Sequence, residues 1–177
     1  MRQLNMSILP GEHYTEENRP STLQTSIAVL QWIHFRLDGL RIDRLAQNKR
    51  IQLASGCWHI AIEHSQAIVV LIDQGLHGSA LAMQRPLIEA YARGLWLMYC
   101  ASDADVDAAG RDQFPGINRL TKDLERPGAS DWVGIKDMWW SRLCSFTHTG
   151  YQQIGARLTA EGLGYAYDDG EISQALG

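Results

Sequence analysis

Hydrophobic and polar positions along this chain recur with the spacing of α-helices, not with the alternation of strands. The broadest apolar stripe predicts a long helix over residues 50–74, which Gly75 would end. Before it, apolar positions at helical spacing predict a helix from residue 21 to about residue 46, with Ser21 as its N-cap. The stripe of the long helix consists of Leu53, Cys57, Ile60, Ala61, His64, Ala67, Ile68, Leu71 and Ile72.

A third helix is predicted after a tight Gly-containing connection. Ser79 is the expected N-cap, and apolar residues at helical spacing continue to about Cys100. Pro86 lies inside this segment. Because proline has no N–H and crowds the preceding turn, we expect a kink near residues 82–85.

Shorter helices are predicted in the remainder of the chain, over residues 102–112, 117–124, 132–148 and 151–158, with the start of another at Glu171. Asp131 is the expected cap of the helix that carries Arg142. The two helices of the middle third are expected to be an insertion between the long helices rather than a core layer. Without strand alternation or an internal repeat, the pattern predicts an all-α antiparallel helical bundle.

The length of 177 residues fits one domain, which we place at residues 21–177. Residues 1–20 lack periodicity and are predicted to be an irregular arm. The helix that starts at Glu171 is not completed within the sequence, so the bundle is expected to lack a final C-terminal helix.

Charge and cysteine content narrow the classes of function. The formal net charge of −4 provides no overall positive field for nucleic acid or anionic lipid. Three widely spaced cysteines indicate reduced thiols and a cytoplasmic protein. The longest strongly apolar run, residues 67–72, is too short for a membrane span, and the N-terminus does not resemble a signal peptide.

Arg142 and His148 are the first candidates for chemistry. An imidazole can take a proton from a ribose 2′-hydroxyl, and a guanidinium can hold the phosphate and offset developing charge. On an unbroken helix, six positions place the two side chains about 120° apart, so the break near Gly150 would have to bring them together. The structural alternative is a salt bridge for Arg142 and a helix C-terminus for His148.

A second group of charges lies on the third predicted helix. Arg85 and Glu89 are four residues apart, and Arg93 extends the same face. We expect this face to be buried, with Glu63 or His64 of the second helix as partners. Such a network is most often structural.

No metal site and no cofactor are predicted. The spacing of His59, Glu63 and His64 matches neither the zinc-binding His-Glu-x-x-His helix nor the Glu-x-x-His pairs of di-iron bundles. The chain also contains no phosphate-binding Gly-rich loop and no Gly-x-Ser-x-Gly elbow.

Two segments, residues 75–96 and 143–154, resemble a family of uncharacterised bacterial all-helical proteins that are similar to abortive-infection and HEPN-like bundles. The resemblance covers about residues 22–177. In the wider group, an Arg followed after four to six residues by a His is a ribonuclease signature, used in a homodimer. Arg142 and His148, with five residues between them, fit that spacing, whereas Leu143 stands where a polar residue is usual.

The resemblance therefore implies a HEPN-like bundle in a bacterial defence or toxin–antitoxin setting, acting on RNA or on a partner protein. His148 would be general base or acid and Arg142 the phosphate ligand, with Arg85, Glu89, Glu63, His64 and Tyr151 in supporting or binding positions. The alternative is a non-catalytic interaction module in which these residues form a structural network, which Leu143 and the acidic charge favour. A third hypothesis is a small-molecule site beside Pro86.

Overall fold

The computed structural model describes residues 20–39, 48–125, 131–160 and 162–176. Within them it is a packed helix bundle, and the predicted all-α class is confirmed. Its helices are α1 (Ser21–Leu37), α2 (Lys49–Asp73), α3 (His77–Tyr99), α4 (Asp103–Ala109), α5 (Ile117–Glu125), α6 (Trp132–Thr147), α7 (Tyr151–Gly155) and α8 (Asp169–Leu176). Two short strands, β1 (Leu158–Thr159) and β2 (Gly162–Leu163), form an antiparallel hairpin between α7 and α8.

The α2–α3 hairpin is the centre of the bundle. Gly75 has a φ of +70°, which allows its N–H to reach Ile72 O and the Leu76 N–H to reach Leu71 O. The predicted stop at Gly75 is confirmed. The Leu76 carbonyl then accepts the N–H groups of Ser79 and Ala80, so α3 begins at His77 and the prediction that Ser79 caps it was wrong.

Two hydrophobic clusters lie toward opposite ends of this hairpin. One is built around Trp96 and Leu97 of α3, and the other joins Leu23 of α1 to Ile72 of α2 and Ile172 of α8. The middle third was expected to be an insertion, and this was wrong. Val106, Ala109, Leu120 and Leu124 of α4 and α5 are buried in the Trp96 cluster, because each short helix places a pair of apolar residues on its inner side.

Several helix ends differ from the predictions. Helix α1 already includes Ser21, with Pro20 at its N-cap, because the Pro20 carbonyl accepts the Gln24 N–H. It ends at Leu37, and part of the predicted extension to residue 46 lies outside the described residues. Helix α4 ends three residues early, before Asp112 at a φ of 61°.

The helix predicted over residues 151–158 ends at Gly155, where the β hairpin replaces its last turn. By contrast, Asp131 caps α6 as predicted, with its carboxylate accepting from Gly134 N at 2.7 Å. None of the described helices combines the length and apolar character that spanning a lipid bilayer requires.

Helix α3 runs through Pro86 without interruption, and α6 packs beside it at this turn. Because Pro86 has no N–H, the Ala82 carbonyl loses its usual helical donor. The Thr147 hydroxyl of α6 lies 3.2 Å from that carbonyl oxygen and 2.8 Å from Leu143 O in its own helix. The end of α6 is thereby positioned against the middle of α3.

Candidate functional site

His148 lies at the C-terminal end of α6, with its side chain exposed. The chain turns sharply after it, since Thr149 has a φ of 54° and the Gly150 N–H donates to Ser145 O at 2.6 Å. A Cβ at position 150 would lie 3.0 Å from Ser145 Cα and 3.1 Å from Ser145 O, which favours glycine. The turn leaves the imidazole at the surface, facing α3.

Arg85 of α3 is the side chain that His148 contacts. Arg85 Nη1 is hydrogen-bonded to His148 Nε2, and Arg85 Nε donates to Glu89 Oε1 at 2.9 Å. A guanidinium can only donate, so Nε2 is the acceptor in this contact. The Arg85 guanidinium also lies 5.1 Å from the centre of the Trp140 ring, within the range of a cation–π contact.

Glu89 lies between two guanidinium groups. Its second carboxylate oxygen accepts from Arg93 Nη2 at 3.4 Å, and Arg93 lies 4.9 Å from the centre of the Phe114 ring. Both Arg85 and Glu89 keep 23% of their side-chain surface exposed. With two guanidinium groups and one carboxylate, this cluster is locally positive on an acidic protein.

Arg142, the other half of the sequence motif, has different partners. It forms an ion pair with Glu171 of α8, and its guanidinium lies 5.8 Å from the Trp139 ring centre and 5.9 Å from that of Phe146. The structure thus joins His148 to Arg85 and Arg142 to Glu171. This separation agrees with the angle of about 120° between positions six residues apart on a helix.

The remaining predicted site residues are not part of this cluster. Glu63 is exposed and His64 is half-buried on α2, and among the described residues no hydrogen bond or ion pair links either to Arg85 or Glu89. Tyr151, the first residue of α7, is 83% exposed.

Sequence reasoning missed two side chains that hold the arginines in place. Trp140 orients Arg85, and Glu171 neutralises Arg142. Trp140 is in an apolar helical run, and Glu171 is 29 residues from Arg142. No local spacing signals either contact, since both depend on how α6 packs against α3 and α8.

Nucleophilic thiol chemistry has no support at this cluster. Burial raises the pKa of the Cys57 thiol on α2, and the positive charge of Arg93 offsets only part of that rise. The thiol is therefore protonated at neutral pH. Across the part of the chain that the structure describes, no three His, Cys, Asp or Glu side chains are grouped so that they could hold a metal ion.

Comparison with known proteins identifies one family. The sequence model of a family of unknown function, DUF6988, matches residues 58–176, which include α3 and α6. The match also includes the whole of the His148 cluster, that is His148, Arg85, Glu89, Arg93 and Trp140. No curated protein matches the chain, and no solved structure matches it.

Proposed function

The chain belongs to the DUF6988 family of unknown function, and we propose that it cleaves RNA without a metal ion at the surface where His148 meets Arg85. The observation that carries this proposal is the contact between the exposed imidazole and a guanidinium that Glu89 and Trp140 hold in place. The setting we propose is the bacterial defence or toxin–antitoxin context that the resemblance to HEPN-like proteins implies.

The supporting argument is chemical. In the resting protein, the Arg85 guanidinium donates to His148 Nε2 and to Glu89, which leaves further N–H groups on the same fork for a phosphate. When the phosphate takes the place of the imidazole on Nη1, Nε2 is released to accept a proton. A base and a phosphate ligand are then adjacent, as general base catalysis requires.

The proposed step is a transphosphorylation. His148 Nε2 takes the proton of the ribose 2′-hydroxyl, the 2′-oxygen forms a bond to phosphorus, and the bond from phosphorus to the 5′-oxygen breaks. Water protonates the departing 5′-oxygen, and the hydroxide that remains takes the proton from His148, which regenerates the base. The products are a 2′,3′-cyclic phosphate and a free 5′-hydroxyl, and the arginine offsets the charge that builds on the phosphate oxygens.

This proposal changes the role given to each arginine. Arg85 replaces Arg142 as phosphate ligand because it is Arg85 that contacts His148, whereas Arg142 is engaged by Glu171. Arg142 then acts as a structural link between α6 and α8. If Arg85 is the phosphate ligand, Arg85→Ala lowers the cleavage rate and Arg142→Ala does not. If Arg142 is the ligand, the two results are reversed.

The test is cleavage of end-labelled single-stranded RNA in EDTA by the full chain and by His148→Ala, Arg85→Ala and Arg142→Ala. We expect His148→Ala and Arg85→Ala to lower the rate by at least about 100-fold, the size of a general acid–base contribution. Arg142→Ala should retain activity when assayed well below its melting temperature. The same oligonucleotide with 2′-deoxyribose should remain intact, since it lacks the nucleophile.

Loss of cleavage in Arg142→Ala together with full activity in Arg85→Ala would contradict the assignment of Arg85 as phosphate ligand. It would favour Arg142, which the sequence motif predicts. A product with a 3′-hydroxyl end would contradict the mechanism. Melting temperatures of all three variants are the control for folding.

A second candidate is a non-catalytic interaction module. It is favoured by the pairing of Arg85 and Arg142 with carboxylates of the same chain, Glu89 and Glu171, which reduces the charge offered to an anion. Under this hypothesis the wild-type chain cleaves no RNA, and His148→Ala lowers only the melting temperature. The cleavage assay therefore separates the two candidates.

A further inference from the structure

A cavity of about 610 Å³ lies between α1, α2, α3 and α8, and its described lining residues do not include those of the His148 cluster. Its volume is within the range of about 300–1,000 Å³ that is usual for small-molecule sites. Four helices contribute to its walls, so its shape depends on the packing of the bundle and not on one loop.

Most of the cavity wall is apolar. Leu30 and Ile33 of α1 face Leu87 and Ile88 of α3, and Ile68 of α2 is buried behind them. Such a surface gains free energy when a hydrocarbon group displaces water from it, by about 25 cal/mol for each Å² of apolar area covered.

The described residues that line the cavity include no Asp, Glu, Lys, Arg or His. A charged group drawn in among these residues would lose hydration without gaining a counter-ion. The described lining therefore favours an uncharged molecule.

Three hydroxyl groups of the lining donate to backbone carbonyls. Thr25 Oγ1 donates to Ser21 O at 2.9 Å, Ser65 Oγ donates to Ala61 O at 3.1 Å, and Ser26 Oγ lies 2.9 Å from Thr22 O and 3.0 Å from Leu176 O. A hydroxyl that donates to the backbone keeps its lone pairs for an incoming donor. Gln84 of α3 adds an amide that can both donate and accept.

We propose that this cavity binds an uncharged amphiphile, a small molecule with a hydrocarbon body and a hydroxyl or similar head group that donates a hydrogen bond. The hydrocarbon body packs between α1 and α3. The head group donates to the serine and threonine oxygens, or to Gln84.

The test is equilibrium binding of the neutral fluorescent probe N-phenyl-1-naphthylamine to the full chain, followed by competition with three ten-carbon ligands. We expect saturable binding of one probe per chain. 1-Decanol should displace the probe at a concentration at least about tenfold lower than decanoate or decyltrimethylammonium, a difference of about 1.4 kcal/mol in binding free energy. Equal competition by all three ligands, or no saturable binding, would overturn the proposal.

Matched variants locate the probe. Val29 lines the cavity on α1, whereas Val70 is exposed on α2 and does not line it. Val29→Trp and, from the α8 wall, Ala175→Phe should weaken probe binding by at least about tenfold, because each fills part of the cavity. Val70→Trp should leave it unchanged. If both cavity variants bind the probe as the wild type does while remaining folded, the site lies elsewhere and the proposal fails.

Discussion

A single glycine sets how closely the two central helices approach. Gly94 of α3 faces the indole of Trp58 on α2, where a Cβ would lie 3.0 Å from Cε2 and closer still to Nε1 and Cδ1. We expect Gly94→Ala to lower the free energy of unfolding by about 1–2 kcal/mol, since overpacking outweighs the gain of about 1 kcal/mol in helix propensity. Urea denaturation measures the change.

Gly56→Ala is the matched control. Gly56 is also helical, on the exposed side of α2, and a Cβ there meets nothing within 4 Å. Only the propensity gain remains, so we expect this variant to be stabilised by about 0.5–1 kcal/mol. Changes of the same sign in both variants would show that the Trp58 contact does not limit the approach of the helices.

At the scale of elements, Thr147 compensates in α6 for the donor that Pro86 removes from α3. Thr147→Val should cost about 1–2 kcal/mol, because it leaves the half-buried Ala82 carbonyl with neither the helical donor nor the hydroxyl. In a Pro86→Ala background, residue 86 supplies the N–H, and the same substitution should cost less than about 0.5 kcal/mol. A double-mutant cycle measured by urea denaturation gives the coupling.

The control for this cycle is Thr121→Val in α5. Thr121 is buried, and its hydroxyl donates to Ile117 O at 3.0 Å, a carbonyl that already accepts a helical N–H. Its loss leaves no acceptor unsatisfied, so we expect a change within about 0.5 kcal/mol. Equal costs for Thr147→Val in both backgrounds would refute the compensation.

At the scale of the whole molecule, we expect the chain to form a homodimer through exposed apolar side chains of α6 and α7. Met138 of α6 is 72% exposed and Tyr151 of α7 is 83% exposed, and a dimer interface would remove this apolar area from water. Met138→Glu should raise the dimer dissociation constant by at least about tenfold. Light scattering coupled to gel filtration measures the mass over a concentration series.

Val70→Glu is the matched control for dimerisation, since Val70 is similarly exposed on α2. It should leave the dimer intact. A wild-type chain that remains monomeric at the highest soluble concentration would contradict the expectation.

The sequence predicted the long helices well because a 25-residue stripe such as that of α2 repeats its signal over many turns. It failed where the outcome depends on contacts distant in sequence. The short helices α4 and α5 carry too few turns to reveal that Val106 and Leu120 enter the core, and the β hairpin has only two residues per strand. The all-α bundle is confirmed, while the HEPN fold stays a prediction.

The candidate site was likewise predicted from the sequence only in part. The spacing of Arg85 and Glu89 on one helix face indicated their ion pair, which the structure contains at 2.9 Å. The partners of His148 and Arg142 come from other helices, at separations of 63 and 29 residues, so periodicity could not reveal them.

Within one and a half turns, α3 contributes residues to two different surfaces. Gln84, Leu87 and Ile88 line the cavity, while Arg85 and Glu89 carry the His148 cluster. Thermodynamic linkage applies to any two ligands on one protein: if occupancy of the cavity alters phosphate affinity at Arg85 by some factor, phosphate alters affinity for the cavity ligand by the same factor. Binding in the cavity and binding of phosphate would then each influence the other through the turn of α3 that contains Pro86.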